Sequence, residues 1–454
     1  MPVPRALASL AVPTIISQLI NLVYNVVDTF FIGRAGNVYM TAAVTASFTL
    51  FMMTVSFGNL FGVGGGSLIA RLSGMGREKE GKSVCAFSVW GAFATALLYS
   101  LGVGLFAKPL LTLLGANEDS MPYALQYTYV VVVAGNIPII LSMTTAHLLR
   151  NAGYSRQASL GLSLGGVLNI ALDPLLMFLV FPRLFGPGLE VLGAAVATWL
   201  ANGISCVYLL LTLTRIGKTS PLCADPRKAA KISGENLKRL FAVGLPSAAL
   251  TALFDVANIV LNKLMSLHGQ MEMAAVGIVM KAERLPNAIN IGLCQGMLPL
   301  VAYNYASGNH KRMQETIRTA FLAGLGICAL CLLFYELFAD TVTGVFLATN
   351  GEDSASAVAT IALAALFLRI RACSAPLQFL NYHTSFCLQG VGSGGLTLLH
   401  AFVREMVCYI PLMILMNLLW GTNGLAAGVV AGEGLGGIFA LWLWHRWKKK
   451  NLAK

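Results

Sequence analysis

Charge is scarce in this chain. Only 11% of its 454 residues are Asp, Glu, Lys or Arg, and acids are the scarcer kind, 19 against 31 basic residues. A soluble domain carries about 25% charged residues, so a surface wetted all round is excluded. Catalytic signatures are missing as well. There is no His-Glu-x-x-His, no Gly-x-Ser-x-Gly and no clustered carboxylate motif, and no intramembrane enzyme is read. The run from Gly62 to Ser67 (GVGGGS) lacks the Gly-Lys-Ser/Thr ending of a phosphate loop, which argues against ATP as the driver. The nine cysteines are scattered, and Cys328 and Cys331, though at redox spacing, lie inside an apolar run and read as packing. No metal cluster and no organic cofactor site are readable. No cleavable signal peptide is evident, because the opening residues lead straight into an apolar run too long for one.

Long apolar runs are what the chain has instead. Hydrophobic residues make up 57% of it, with a mean hydropathy of +0.73. Runs of about 20 apolar residues suffice to cross a bilayer as helices. Twelve are predicted, at 6–33, 43–70, 84–107, 122–147, 158–181, 192–214, 241–266, 273–304, 317–340, 356–387, 396–419 and 424–446. The fold class is therefore all-α and integral to the membrane. Basic residues crowd the loops after even-numbered spans, from Arg71, Arg77, Lys79 and Lys82 to Lys448–Lys450, whereas only Arg34, Lys108 and Arg183 follow odd-numbered ones. The positive-inside rule then puts both termini in the cytoplasm. The net charge of +12 needs no nucleic-acid partner, since most of it sets orientation and meets lipid headgroups.

The chain also repeats itself. Pro13 and Asn25 in the first span correspond to Pro246 and Asn258, Gly76 to Gly308, Pro174 to Pro411, and Gly193 to Gly424, at separations of 231 to 237 residues. Duplicated apolar halves are a plan of secondary transporters. The division is predicted at 1–214 for the first half, 215–240 for a polar cytoplasmic linker read as a solvated or surface-lying helix, and 241–454 for the second half.

Polar residues deep in a span are costly and mark candidate sites. The first span places Gln18, Asn21, Asn25 and Asp28 at helical spacing. The fifth carries Asn169 and Asp173 one turn apart, followed by Pro174, and the sixth carries Thr198. Two carboxylates, an amide and a hydroxyl can form an oxygen cage for a small cation, or the carboxylates can share a proton. The plainer reading is that they bond neighbouring helices. The second half is richer in charge, with Asp255, Lys263, Lys281, Glu283, Arg284, Arg369, Arg371, Arg404, Glu405 and Glu433 inside its spans. Asp255 and Asn258 continue a polar stripe on the seventh span, and Arg371, Gln378 and Tyr382 follow one another at helical spacing on the tenth. These groups either line a substrate cleft, with a positive surplus suited to an anionic or zwitterionic substrate, or close into an ion-pair network that holds the half together.

At these residues the chain resembles the multidrug and toxic compound extrusion (MATE) family of secondary transporters. It is most similar to the bacterial branch with Tyr-Asn-Val-Val-Asp in the first helix (ending at Asp28) and Leu-Asn-Ile-Ala-Leu-Asp-Pro in the fifth (ending at Pro174). The resemblance implies two pseudo-symmetric six-helix lobes meeting in a V-shaped cleft. It implies an antiporter that exports drugs or small organic metabolites by alternating access, coupled to Na⁺ or H⁺. Matched position by position, it implicates Asp28, Asn169, Asp173 and Thr198 in coupling, with Na⁺ or H⁺ as the ion. The expected substrate-cleft residues are Gln18, Asn21, Asn25, Asp255, Asn258, Lys281, Glu283, Arg284, Arg371, Gln378 and Tyr382. The expected partners are a small-molecule substrate and the lipid bilayer, the expected state a monomer, and the expected place the cytoplasmic membrane of a prokaryote. The alternative is a lipid-linked precursor flippase, whose families share duplicated lobes.

Overall fold

The structure, a computed structural model, describes residues 1–34, 38–181, 183, 189–348 and 355–452. Among these residues there are helices and no strands. The first lobe comprises α1 (Val3–Arg34), α2 (Val38–Gly74), α3 (Glu78–Leu113), α4 (Met121–Ala134 with Asn136–Asn151), α5 (Ser155–Val180) and α6 (Glu190–Ile216). The second comprises α7 (Gly234–Ser266), α8 (Gln270–Ala306), α9 (His310–Ala348), α10 (Ala355–Ala372 with Ala375–Gly390), α11 (394–420) and α12 (421–451).

The last two helices run into one another as a single stretch, Gly394–Asn451, of 58 residues. At 1.5 Å per residue that would reach about 87 Å, roughly three times the hydrocarbon thickness of a bilayer. It folds back instead. Trp420 leaves helical geometry, and Gly421 adopts a φ of +59°, which glycine alone takes without a Cβ clash. Beyond that break Gly424 sits on Met416, Gly428 on Leu412 and Met413, and Gly432 on Tyr409. The partners descend as the glycines ascend, so α11 and α12 form an antiparallel hairpin of two spans. Twelve spans result among the described residues.

The repeat in the sequence is a repeat in shape. α4 bends by 44° and its counterpart α10 by 45°. Pro174 leads α5 into a wider turn at Leu175–Val180, as expected where a missing N–H breaks the regular ladder. The linker corrects an expectation. Its ends belong to α6 and α7, and between them, over 217–233, it is no helix beyond the single turn Pro226–Ala229, because Asp225 caps that turn and Ser233 caps the start of α7. Leu222 is buried, and Trp90 Nε1 donates to Ala224 O at 2.8 Å, so the linker is strapped to α3.

Glycines bring the two lobes together. Gly292 and Gly296 of α8 lie against the main chain of Ile15 and Ala11 of α1. One repeat away, Gly64 of α2 lies against Leu240 and Gly244 of α7, and Gly244 against Leu60 O. The two crossings are pseudo-symmetric copies, and a Cβ at either would strike backbone. Hydrogen bonds from Gln18 to Gln295 (3.2 Å), Asn59 to Thr251 (3.1 Å), Ser67 to Gln389 O (2.7 Å) and Arg312 to Met1 O (2.7 Å) join the same region. This is the end of the molecule that carries both termini. Away from it the facing stripes become exposed, at Val26, Met53, Ile259 and Leu285, and a cleft opens between the lobes.

Replacing Gly244 with valine is expected to lower the Tm of the purified protein by several degrees, about 2–4 °C for each kcal/mol lost. Gly203→Ala on α6, where nothing lies within 4 Å of an added Cβ, is the control. Equal Tm values for the two variants would show that the crossing tolerates a side chain.

Candidate functional site

Asn169 and Asp173 stand one turn apart on the face of α5 that packs into the first lobe, and both are fully buried. Small residues let the helices close around them: Gly166 lies against Ile20 and Tyr24 of α1, and Gly165 against Ser205 of α6. The carboxyl groups of Asp28 of α1 and Asp173 lie within hydrogen-bonding reach of one another. Asp28 is half-buried, while Asp173 is 0% exposed. Thr198 of α6 completes the cluster on the far side of Asn169. All four residues predicted for ion coupling thus come together in one place.

The Asn169 amide can sit either way round. With its nitrogen toward Thr198 Oγ1 (3.1 Å) its oxygen faces Asp173. The facing oxygens of Asn169 and Asp173 then have no donor between them, which suits a bound cation or a shared proton. Turned over, its nitrogen donates to Asp173 Oδ2 at 2.9 Å, and its oxygen accepts from Thr198 Oγ1 at 3.1 Å and Thr198 N at 3.2 Å. Both poses keep the bond to Thr198. The threonine therefore anchors the amide while its other end answers to the state of the carboxylates.

The repeat shows that this cluster belongs to one lobe. The counterparts of Asp28, Asn169, Asp173 and Thr198 in the second half are Leu261, Met406, Ile410 and Val429. Leu261 and Val429 are buried in that lobe's apolar core. The same backbone is stable with hydrocarbon at these positions, so polarity in the first lobe is not a requirement of the fold.

Two tyrosines that sequence reading passed over also belong here. Tyr24 of α1 and Tyr127 of α4 lie close enough to both carboxylates to feel their charge, and Tyr127 is buried. Tyr24 has a readable signal, since it sits one turn before Asp28. Tyr127 has none, because the bend of α4 is what delivers it.

The second-lobe candidates divide into two groups. Arg371, Glu283 and Tyr382 are not on the cleft wall, and here the structure corrects the expectation. Arg371 binds Glu283 through two hydrogen bonds of 2.8 and 2.6 Å. Glu283 points from the face of α8 opposite Gly292, into the lobe. Tyr382 lies beneath the guanidinium of Arg404, 5.0 Å from its ring centre. Arg404 (2% exposed) in turn pairs with Glu433 (1%) at 3.0 and 2.5 Å and with Glu405 at 3.2 Å. Asn381 donates to Glu433 at 2.8 Å, and His400 bridges Asn381 at 3.0 Å and Ser385 at 2.8 Å. This is a buried ion-pair network binding α8, α10, α11 and α12, the alternative that the sequence left open, and within it Arg371 Nη1 and Glu405 Oε1 have no hydrogen-bond partner among the described residues. Gln378 is half-buried one turn before Tyr382.

The other group faces the first lobe. At 3.6 residues per turn, Asp255 and Asn258 fall on the stripe of α7 that carries Gly244 and Thr251. Lys281 falls on the stripe of α8 that carries Gly292, and Arg284 beside it with Gln295. In α1, Gln18 is committed to Gln295, while Asn25 Nδ2 donates to Asn21 O at 2.6 Å and Asn21 lies toward Gly166 of α5.

Comparison with known proteins agrees with this geometry. The MatE family model matches residues 13–175 and 246–415, once in each lobe. The chain belongs to the MATE family of efflux transporters. It is 27% identical over 440 residues to the multidrug export protein MepA of Staphylococcus aureus (strain MRSA252), covering 97% of this chain and 93% of that one. The MepA protein of Staphylococcus saprophyticus is likewise 27% identical, over 429 residues, 94% of this chain and 90% of its own. Among solved structures, a MATE transporter in complex with MaL6 superposes with a TM-score of 0.90 at 24% identity, over 98% of this chain and 96% of that one. A multidrug-resistance MATE transporter in an outward-facing conformation does so at 0.89 and 23%, with the same coverage. This MATE protein is a membrane transporter and not an enzyme, and nothing in the fold or the relatives supports the flippase alternative.

Removing one partner of the buried pair separates scaffold from cleft. Glu433→Leu leaves Arg404 with Glu405 alone and is expected to cost about 3–5 kcal/mol, read as loss of monodisperse protein in size-exclusion chromatography. Lys281→Gln is expected to leave the yield unchanged. Normal yield of Glu433→Leu would contradict a structural role for the network.

Proposed function

We propose that this MATE protein is an antiporter that exports drugs or small organic metabolites by alternating access, driven by Na⁺ or H⁺ influx through the first-lobe carboxylates. The observation that carries the proposal is the Asp28–Asp173 contact, held in a lobe whose twin does without any polar group at the same positions. Two carboxylates in hydrogen-bonding contact repel one another unless a proton or a metal cation lies between them. Filling that requirement from outside, and losing the particle toward the cytoplasm, gives a lobe two states that a gradient can drive in one direction. The relatives named as multidrug exporters support the direction and the breadth of substrate.

In this reading both termini and the linker lie in the cytoplasm of a prokaryote, as the excess of Lys and Arg in those loops requires. The glycine crossings then close the cytoplasmic end, and the cleft faces outward, the conformation that releases substrate and loads the ion. The chain acts as a monomer in the cytoplasmic membrane, since the ion cluster is built from one polypeptide. Na⁺ prefers several oxygen ligands, and the Asn169 amide supplies a neutral one when its nitrogen rests on Thr198. A proton needs only the carboxylates.

Asp28→Asn tests the coupling assignment. Expressed in cells stripped of their own exporters and challenged with a panel of cationic, neutral and anionic antimicrobials, the wild type is expected to raise tolerance to some members. Asp28→Asn, at equal abundance in the membrane, is expected to raise it to none, and wild-type tolerance would refute the role of Asp28. Asn169→Ala tests the ion. If Na⁺ is carried, transport at fixed pH rises with Na⁺ in the wild type and loses that dependence in the variant. Indifference to Na⁺ in both would leave H⁺ alone.

A further inference from the structure

The two walls of the cleft are chemically unlike. On the first lobe the stripes of α1 and α2 that face the partner continue past the glycine crossings as Leu22, Val26, Thr49 and Met53, and none of these is charged. Val26 is 38% exposed and Met53 46%, so this wall is a free apolar surface. On the second lobe the corresponding stripes continue as Asp255, Asn258 and Asn262 on α7, and Lys281 and Arg284 on α8. Lys281 and Arg284 are both exposed. The remaining second-lobe charges are spent elsewhere. Glu283 and Arg371 pair inside the lobe, and Arg404 pairs there with both Glu433 and Glu405. Arg369 pairs with Asp340, and Lys263 lies a quarter-turn or more off the α7 stripe.

What is left on the wall is two cations against one acid, and no carboxylate lies within 4.0 Å of either cation among the described residues. Lys281 and Arg284 are three residues apart on one helix and repel each other. Other intramembrane arginines of this lobe, Arg371 and Arg404, each have a bidentate acid built for them. A like-charged, unneutralised pair on a wall facing a water-filled cleft is the arrangement that an incoming anion relieves. At its base the two walls converge, because the glycine crossings bring the helices into backbone contact.

We infer that the cleft is selective for amphipathic organic anions, and for zwitterions carrying an acidic group. The acidic group is held between Lys281 and Arg284, the apolar body lies on Leu22, Val26 and Met53, and Asp255 takes any amine the molecule carries. The inference names the substrate class of the transport cleft and depends on the export reading only for the direction of movement. Lipophilic cations without an acidic group are disfavoured by the same pair of charges.

The test uses two rigid amphiphiles of opposite fixed charge, taurocholate (a sulfonate) and ethidium (a cation). Equilibrium binding is measured to the full chain in nanodiscs, with empty nanodiscs as reference, alongside flux in proteoliposomes. The wild type is expected to bind taurocholate at least about tenfold more tightly than ethidium, a difference of about 1.4 kcal/mol. Lys281→Gln with Arg284→Gln is expected to abolish that preference, and Lys281→Glu with Arg284→Glu to reverse it. A wild type that binds ethidium as well as or better than taurocholate overturns the inference, whether or not the variants fold. So does a glutamine variant of normal abundance with unchanged preference. Binding of taurocholate without flux would leave the inference standing and count against export, whereas flux of ethidium without taurocholate binding would do the opposite.

Discussion

A polar group inside this molecule has nowhere to go except toward another polar group or toward the cleft, because hydrocarbon surrounds both lobes. That constraint sorts the intramembrane charges. In the second lobe it forces Arg371 onto Glu283 and Arg404 onto Glu433, with Asn381 and His400 extending the second pair. In the first it brings Asp28 and Asp173 together, although like charges repel, where Gly166 lets α5 pack closely on α1. The difference between the two cases is the difference between a scaffold and a machine. The acids of the first set each have an arginine beside them, whereas the carboxylates of the second pair with no basic side chain among the described residues, an arrangement that suits a cation or a proton.

Duplication gives this contrast its meaning. Both lobes share bent fourth and tenth helices and glycine crossings related by the repeat. A polar cluster required by the architecture would be present twice. Instead the positions of Asp28, Asn169, Asp173 and Thr198 are apolar in the second lobe, which stays folded through ion pairs at other positions. The lobes have diverged into one that holds a buried carboxylate pair and one held together by ion pairs, and the glycine crossings bring the two into backbone contact.

Much of this was legible in the sequence. Twelve apolar runs became twelve spans, and the predicted break between 419 and 424 falls on the turn at Trp420 and Gly421. Asp28, Asn169, Asp173 and Thr198 were visible because an acid or amide in an apolar run is conspicuous. Span ends were read short, as at Glu78 and His310, because helices extend past the hydrocarbon into polar turns that hydropathy does not register. The linker was read as a helix from its composition, although a cap at Asp225 and another at Ser233 divide it. Pairings were beyond reach. Helical spacing alone does not tell that Arg371 turns toward Glu283 and away from the cleft, nor that the bend in α4 carries Tyr127 to the carboxylates. These depend on how helices distant in sequence pack, which only the tertiary structure fixes.

At the centre of this account is the claim that the first-lobe carboxylates tie substrate export to cation influx. The most direct measurement is substrate efflux from proteoliposomes holding the purified chain, with a pH gradient and a Na⁺ gradient imposed one at a time. The account predicts that at least one inward cation gradient accelerates efflux, that collapsing it returns efflux to the unstimulated rate, and that an opposed substrate gradient drives the same cation outward. Efflux indifferent to both gradients, with no cation moving in exchange, would contradict it.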